Sequence, residues 1–283
     1  MTASFGIIGG DKRQLYLAKS IKKDGFNVYI CGFELSCDTA GLEEVSLNGI
    51  FEKCENIILP LPCTRDYKTI FSPYSDNEFV VDDNFISLLL NKNIYGGYME
   101  LLTKNNELWK NINLEDYYKK EELAIYNAIP TAEGAIALAI ENHDGILNSS
   151  NCLVTGFGRI GKALTKILIG MGANVDVASR KNEDFAMTKL VGARAIKYKN
   201  IEKKYDIIFN TVPVEVVGKD ILNFQNNETI IIELASLPGG IDRKTALLKG
   251  IKIIDAQSLP GKVAPMASAE FIKETIFNIK GDD

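Results

Sequence analysis

Residues Leu153 to Leu164, "LVTGFGRIGKAL", set Gly156, Gly158 and Gly161 at G-x-G-x-x-G spacing. The apolar run "CLVTG" predicts a strand leading into the glycines, and Arg159 to Met171 predicts a helix leaving them. In that context each glycine has its own task. Gly156 allows the tight turn, Gly158 lets backbone amides approach a pyrophosphate, Gly161 lets helix and strand pack closely, and the helix start favours negative charge. This motif constrains the second half of the chain more than any other feature, toward a dinucleotide-binding α/β unit. A glycine turn that holds no nucleotide is the plainer alternative.

The pattern continues regularly beyond the motif. Strand "NVDVAS" (174–179), a helix over 183–191, strands "ARAIKY", "DIIFNTV" (206–212) and "TIIIELA" (229–235), a helix over 243–248 and strand "IKIIDA" follow in turn. The first half repeats the theme more loosely, with "FGIIGGD", a helix over 12–23, "NVYICGF" (27–33), "NIILPLP" (56–62), "FVVDD" and a helix over 85–90. β-Branched runs alternating with helical segments imply parallel sheets covered on both faces. The expected fold is α/β, with two tandem α/β domains. Residues 1–130 form a smaller substrate or lid domain, and 131–283 a Rossmann-type doubly wound parallel sheet. Two such domains create a cleft at the carboxyl ends of their sheets, where open α/β folds bind ligands. Thr131 is expected to cap a hinge helix running to Glu141, and a terminal helix over 267–279 is expected to cross back to the first domain.

At 283 residues, with 46% hydrophobic and 24% charged side chains, the chain has ample length for two buried cores. A formal net charge of −5 with interspersed signs offers no footprint for nucleic acid or anionic lipid. No apolar stretch looks long enough to span a membrane, and no basic region precedes the short apolar run at the N-terminus, so a cytoplasmic location is expected. Cys31, Cys37, Cys54, Cys63 and Cys152 contain no C-x-x-C pair and read as reduced core residues. His143 is the sole histidine, which argues against a histidine metal centre, and no metal site is expected.

Cofactor choice turns on the end of the second strand of the nucleotide unit. NAD enzymes place an acid there for the ribose hydroxyls. This chain reads "ASRKN" instead: Ser179, Arg180 and Lys181 offer a hydroxyl and two cations suited to the 2′-phosphate of NADP, so NADP is expected over NAD. Solvated loop charges are the alternative. Asp176 lies inside the strand and too early for the ribose role. Cofactor contacts are expected from Gly156, Gly158, Arg159, Ile160, Gly161, Ser179, Arg180 and Lys181. Further contacts are expected from Thr211, Val212 and Pro213 in "NTVP" and Ala235 and Ser236 in "ELASLPGG", with ordinary turn chemistry as the other reading of these two loops.

Five boxes occur in order: "GGDKRQ", "AIYNAIPTAEGAI", "TGFGRIG", "LASLPGG" and "LPGKVAP". Together, from Phe5 to Ile279, they resemble the family of dipicolinate synthase A subunits. The resemblance implies a fold similar to the 2-hydroxyacid and alanine dehydrogenases and oxidation of dihydrodipicolinate to dipicolinate with NADP. It also implies partnership with a flavoprotein-like B subunit and the mother cell of a sporulating bacterium; a homo-oligomer is expected beside it. The family's pattern "LASRPGG" carries arginine where this chain has Leu237.

For the dicarboxylate substrate, Arg13 stands at a helix start where amide donors would welcome an anion, with pairing to an acidic neighbour as its alternative. Lys262 sits in a stiff loop between Pro260 and Pro265, and Thr131 lies in the hinge. Glu133 reads as a helix-start charge, and His143 is badly placed for a base. The catalytic residues are left unassigned. Two rivals stand beside this reading. One is another dehydrogenase of hydroxy or amino acids, which the absence of any histidine after His143 opposes. The other is a nucleotide-binding scaffold for the B subunit that does no chemistry itself.

Overall fold

The computed structural model describes residues 2–36, 38–104 and 106–281. Cys37 lies outside these residues. In chain order the elements are β1 (Ser4–Ile8), α1 (Lys12–Lys23), β2 (Asn27–Cys31), β3 (Glu43–Glu44), α2 (Leu47–Lys53), β4 (Asn56–Ile58), α3 (Asp83–Leu88), β5 (Asn93–Gly96), α4 (Glu100–Thr103), β6 (Asn113–Asp116) and α5 (Glu121–Asn142). Then come β7 (Asn151–Thr155), α6 (Arg159–Gly170), β8 (Asn174–Ala178), α7 (Asn182–Leu190), β9 (Arg194–Ile196), β10 (Ile207–Asn210), α8 (Lys219–Leu222), β11 (Ile230–Glu233), α9 (Arg243–Leu248), β12 (Lys252–Asp255), α10 (Leu259–Val263) and α11 (Pro265–Gly281). They divide into two compact units, Met1–Tyr126 with Ala264–Asp283, and Asn127–Val263.

Each unit holds a six-stranded parallel sheet of the same topology, β3-β2-β1-β4-β5-β6 in the first and β12-β11-β10-β7-β8-β9 in the second. The chain order reverses between β1 and β4, and again between β7 and β10, which gives each sheet a switch point at its centre. Side chains alternate between the two faces. Cys152 and Val154 join the core beneath α6, while Leu153 joins the opposite core with Ile208 and Ile231. Burial on both faces explains the nearly continuous apolar runs of these strands.

The first sheet is fuller than the sequence suggests. "FVVDD" is no strand: only Val80 makes an isolated bridge, to Thr69, and Asp82 caps α3 by accepting from the Phe85 amide. The outer strands are instead β5 and β6, whose Asn and Asp residues mask their pattern. The core of this unit includes Leu15, Ala18 and Ile21 of α1 together with Ala269, Ile272, Ile276 and Ile279 of α11.

α5 corrects two expectations. It is continuous through Pro130, so Thr131 caps nothing; its hydroxyl donates to the Asn127 carbonyl at 2.6 Å inside the helix. It is also, by length and composition, apolar enough to cross a membrane, contrary to the expectation that no stretch is, and half of its apolar window is buried within the protein. Leu123 packs in the first unit's core, and Ala132, Ala135, Ile136 and Ala139 pack in the second's, which accounts for its composition. Lys262 stands on α10 rather than in a loop. Pro260 fits there because the first turn of a helix needs no donor.

Candidate functional site

The glycine turn after β7 is open. Gly156 takes φ +86°, and a Cβ there would approach Thr211 Oγ1 at 2.7 Å and Val212 Cγ2 at 2.8 Å. A Cβ on Gly161 would strike the Gly156 carbonyl oxygen, so only glycine lets α6 come this close to the turn. Gly158 is the opposite case: nothing lies within 4 Å of where its Cβ would be, and no side chain of the described residues caps the helix it begins. The 12-residue α6 thus begins beside open space at Gly158, at the positive end of its dipole. Arg159 is exposed and Ile160 half-buried beside it.

The matching turn of the first sheet is plugged. Gly10 donates to the Phe71 carbonyl at 2.7 Å, and a Cβ on it would meet the Gln14 side chain at 2.5 Å. Asp11 occupies the start of α1, accepting from the Arg13 amide in a capping box with Gln14. The welcome for a substrate anion expected at this helix start is thus already taken by the protein's own carboxylate.

At the end of β8, Ser179 is buried, and its hydroxyl has no hydrogen-bond partner. Arg180 and Lys181 are exposed next to it. No described carboxylate pairs with Arg180, while Lys181 reaches Glu183 only at 3.9 Å. Asp176 is consumed elsewhere: it is bound by Arg194, by the Tyr205 hydroxyl at 2.6 Å and by Lys203 at 3.1 Å. Burial works against its charge, yet the bonds from Arg194, Tyr205 and Lys203 hold the carboxyl below its ordinary value. Half-buried Tyr198, just after β9, closes this corner. Burial pushes its phenol up, against the pull of nearby Arg180 and the Gly156 backbone.

Along the carboxyl edge toward β10 and β11, the polar side chains of Thr155, Asn210 and Glu233 are buried. Thr155 donates through its hydroxyl to Asn210 Oδ1, and Asn210 Nδ2 donates to Glu233 at 2.7 Å. Thr211 Oγ1 donates to the Thr155 carbonyl at 2.7 Å, which seats Thr211, Val212 and Pro213 beside the glycine turn. Ala235 is buried and Ser236 exposed on the loop after β11.

Comparison with known proteins matches this arrangement. Residues 4–118 fit the N-terminal domain of the dipicolinate synthase A subunit, and residues 139–236 fit the NAD binding domain of the D-isomer specific 2-hydroxyacid dehydrogenases. The dipicolinate synthase A subunit of Bacillus subtilis (strain 168) is 31% identical over 276 residues, covering 95% of this chain and 93% of that protein. This chain belongs to the family of dipicolinate synthase A subunits. Two crystal structures of that subunit superpose on it with a TM-score of 0.86. The one from Bacillus subtilis shares 28% identity and covers 100% of this chain and 98% of that one. The one from Bacillus halodurans shares 27%, covering 98% and 97%. The match of residues 139–236 to a dehydrogenase NAD binding domain agrees with the open turn after β7.

The substrate-side candidates are more mixed. Arg13 is nearly buried, its Nε and Nη2 donating to Asp11 at 2.9 and 2.8 Å, and Nη2 also bonding the Leu61 carbonyl. Lys262 donates to the Gln257 carbonyl at 3.1 Å from an exposed position. Glu133 is exposed in the middle of α5, and His143 follows the end of that helix beside Ile140 and Ile146. No motif in the sequence singles out Tyr198, while Asn210 and Glu233 open the quoted loops "NTVP" and "ELASLPGG" without being assigned a role. For Glu233 a signal exists: a lone acid closes the otherwise apolar strand "TIIIE".

Proposed function

We propose that this chain is the NADP-linked dehydrogenase component of a dipicolinate synthase and oxidises dihydrodipicolinate to dipicolinate. The observation that carries the cofactor choice is the end of β8, where a buried, unpartnered Ser179 hydroxyl and the cations Arg180 and Lys181 stand in place of an acid. The start of α6 at Gly158 receives the pyrophosphate, and Thr211 to Pro213 with Ala235 and Ser236 line the nicotinamide end. Bound NADP supplies the acceptor for a hydride from the dihydropyridine ring. The accompanying proton leaves to solvent, and aromatisation of the ring drives the step, so the chain's work is alignment more than acid-base chemistry.

Of the substrate-side candidates, Lys262 is the cation we assign to a substrate carboxylate; Arg13 is held by Asp11 and the Leu61 carbonyl, and the Thr131 hydroxyl spends its one proton on the Asn127 carbonyl. Exposed, uncharged Leu237 offers the carboxylates nothing. The chain works with a second, flavoprotein-like B subunit, in the mother-cell cytoplasm of a sporulating bacterium and as a homo-oligomer. The test is reduced NADP formed by the two-component mixture supplied with substrate. Its absence defeats the enzymatic reading and leaves the scaffold. Calorimetry with Arg180→Ala tests cofactor choice: NADP affinity falls about tenfold or more, as expected for loss of a charged hydrogen bond, while NAD affinity holds. Equal losses would show that Arg180 does not read the 2′-phosphate.

A further inference from the structure

β11 runs Ile230, Ile231, Ile232 and then Glu233, a carboxylate only 1% exposed. No lysine or arginine of the described residues forms an ion pair with it. Its charge is met instead by three N–H donors. Oε1 accepts from Asn210 Nδ2 at 2.7 Å and from the Ala235 amide at 3.0 Å, and Oε2 accepts from the Gly240 amide at 3.0 Å. Asn210, fully buried, also donates to the Val212 carbonyl at 3.0 Å and accepts from the Val212 amide at 3.3 Å and from the buried Thr155 hydroxyl.

One carboxylate thus fastens both ends of the loop after β11 and, through Asn210, the turn after β10. The loop is shaped to allow it. Gly239 takes φ +86° with its missing Cβ 3.0 Å from Glu233 Oε2, and a Cβ on Gly240 would strike the Val212 carbonyl. Arg243 lies within electrostatic reach but makes its ion pair with Asp255, so Glu233 is buried without a direct cation contact; that is costly, and an apolar residue would serve packing alone more cheaply. A doubly accepting carboxylate is what two amides at opposite ends of one loop require.

We propose that Glu233 is a positioning residue: through Asn210 and the Ala235 and Gly240 amides it holds the two loops that receive the nicotinamide end of the dinucleotide. The proposal rests on the NADP reading above. Glutamine at this position would turn an amide donor toward the Gly240 N–H or the Asn210 amide, breaking the fastening while keeping the shape.

The experiment compares NADP with 2′,5′-ADP, which has the adenosine half and no nicotinamide, on wild type and Glu233→Gln, and records the emission of bound NADPH. The expected result is 2′,5′-ADP affinity within about twofold of wild type, NADP affinity weaker by about tenfold, and loss of the change in NADPH emission seen on binding to wild type. Asn210→Ala gives the same pattern and replaces Glu233→Gln should that variant not fold. Parallel weakening of both ligands would make the role purely structural and overturn the proposal, as would unchanged NADP binding with an unchanged emission spectrum. Wild type that binds neither ligand would defeat the NADP reading itself, and the proposal with it.

Discussion

Asp176 shows how one residue's partners decide its role. Its carboxylate sits near the ribose end of the nucleotide unit yet belongs to Arg194, Lys203 and Tyr205. Asp176→Asn should destabilise the protein by about 1–2 kcal/mol in urea unfolding, because it weakens the bonds to the buried Tyr205 hydroxyl and to Arg194, while the half-exposed Arg194 and Lys203 keep access to water. It should leave the preference between NADP and NAD unchanged. Since its folded value is depressed, the stability it contributes is present above the unfolded value of about 3.9 and is lost as pH falls through and below it. The thiols behave in the opposite sense. Burial pushes Cys31, Cys63 and Cys152 up to about 12 and Cys54 up to about 11. Native protein at mildly alkaline pH should leave these four unlabelled by a disulfide reagent, with labelling appearing on denaturation, as read by peptide mass mapping. Stability should decline as pH rises above the unfolded thiol value of about 8.5, because the fold disfavours the thiolate.

At the scale of elements, α6 is legible because all of its instructions are local: strand, three glycines and an amphipathic helix lie close together in the chain. The second and third glycines separate packing from binding. Gly161→Ala should cost about 1–3 kcal/mol of stability, since the new methyl meets the Gly156 carbonyl. Gly158→Ala points into open space and should cost within about 1 kcal/mol, while sharply weakening nucleotide binding by filling the pyrophosphate cradle. Urea melts and calorimetry on the pair check this; a large stability loss in Gly158→Ala would contradict the open cradle. Elements whose signals depend on distant partners are easily misread. Thr131 reads as a cap in the sequence, yet α5 runs helical through Pro130, with Ala128, Ala132 and Ala135 buried around it. β5 and β6 carry side chains such as Asn93, Asn113 and Glu115 that hide their place in the sheet.

At the scale of the molecule, the first unit is built from both ends of the chain. Removing residues 264–283 would strip Ile272, Ile276 and Ile279 from its core, each worth about 2 kcal/mol of burial. Trp109, the sole tryptophan, is buried in that unit and reports on it directly. In the truncated chain its fluorescence transition should move to lower urea, while the second unit, complete from Asn127 to Val263, keeps its nucleotide affinity. Loss of both together would mean that the second unit depends on the first.

The sequence by itself determined the class of fold, the position of the glycine turn and the cationic end of β8, because each is written in contiguous residues whose conformational needs are local. Only the tertiary structure decided that the first sheet also has six strands, that its glycine turn is plugged, and that Asp176 and Glu233 are buried with their charges satisfied. Those outcomes depend on groups brought together from far apart in the chain, such as Phe71 against Gly10 or Asn210 against Glu233. The geometry that satisfies a buried polar group exists only once the sheets have formed.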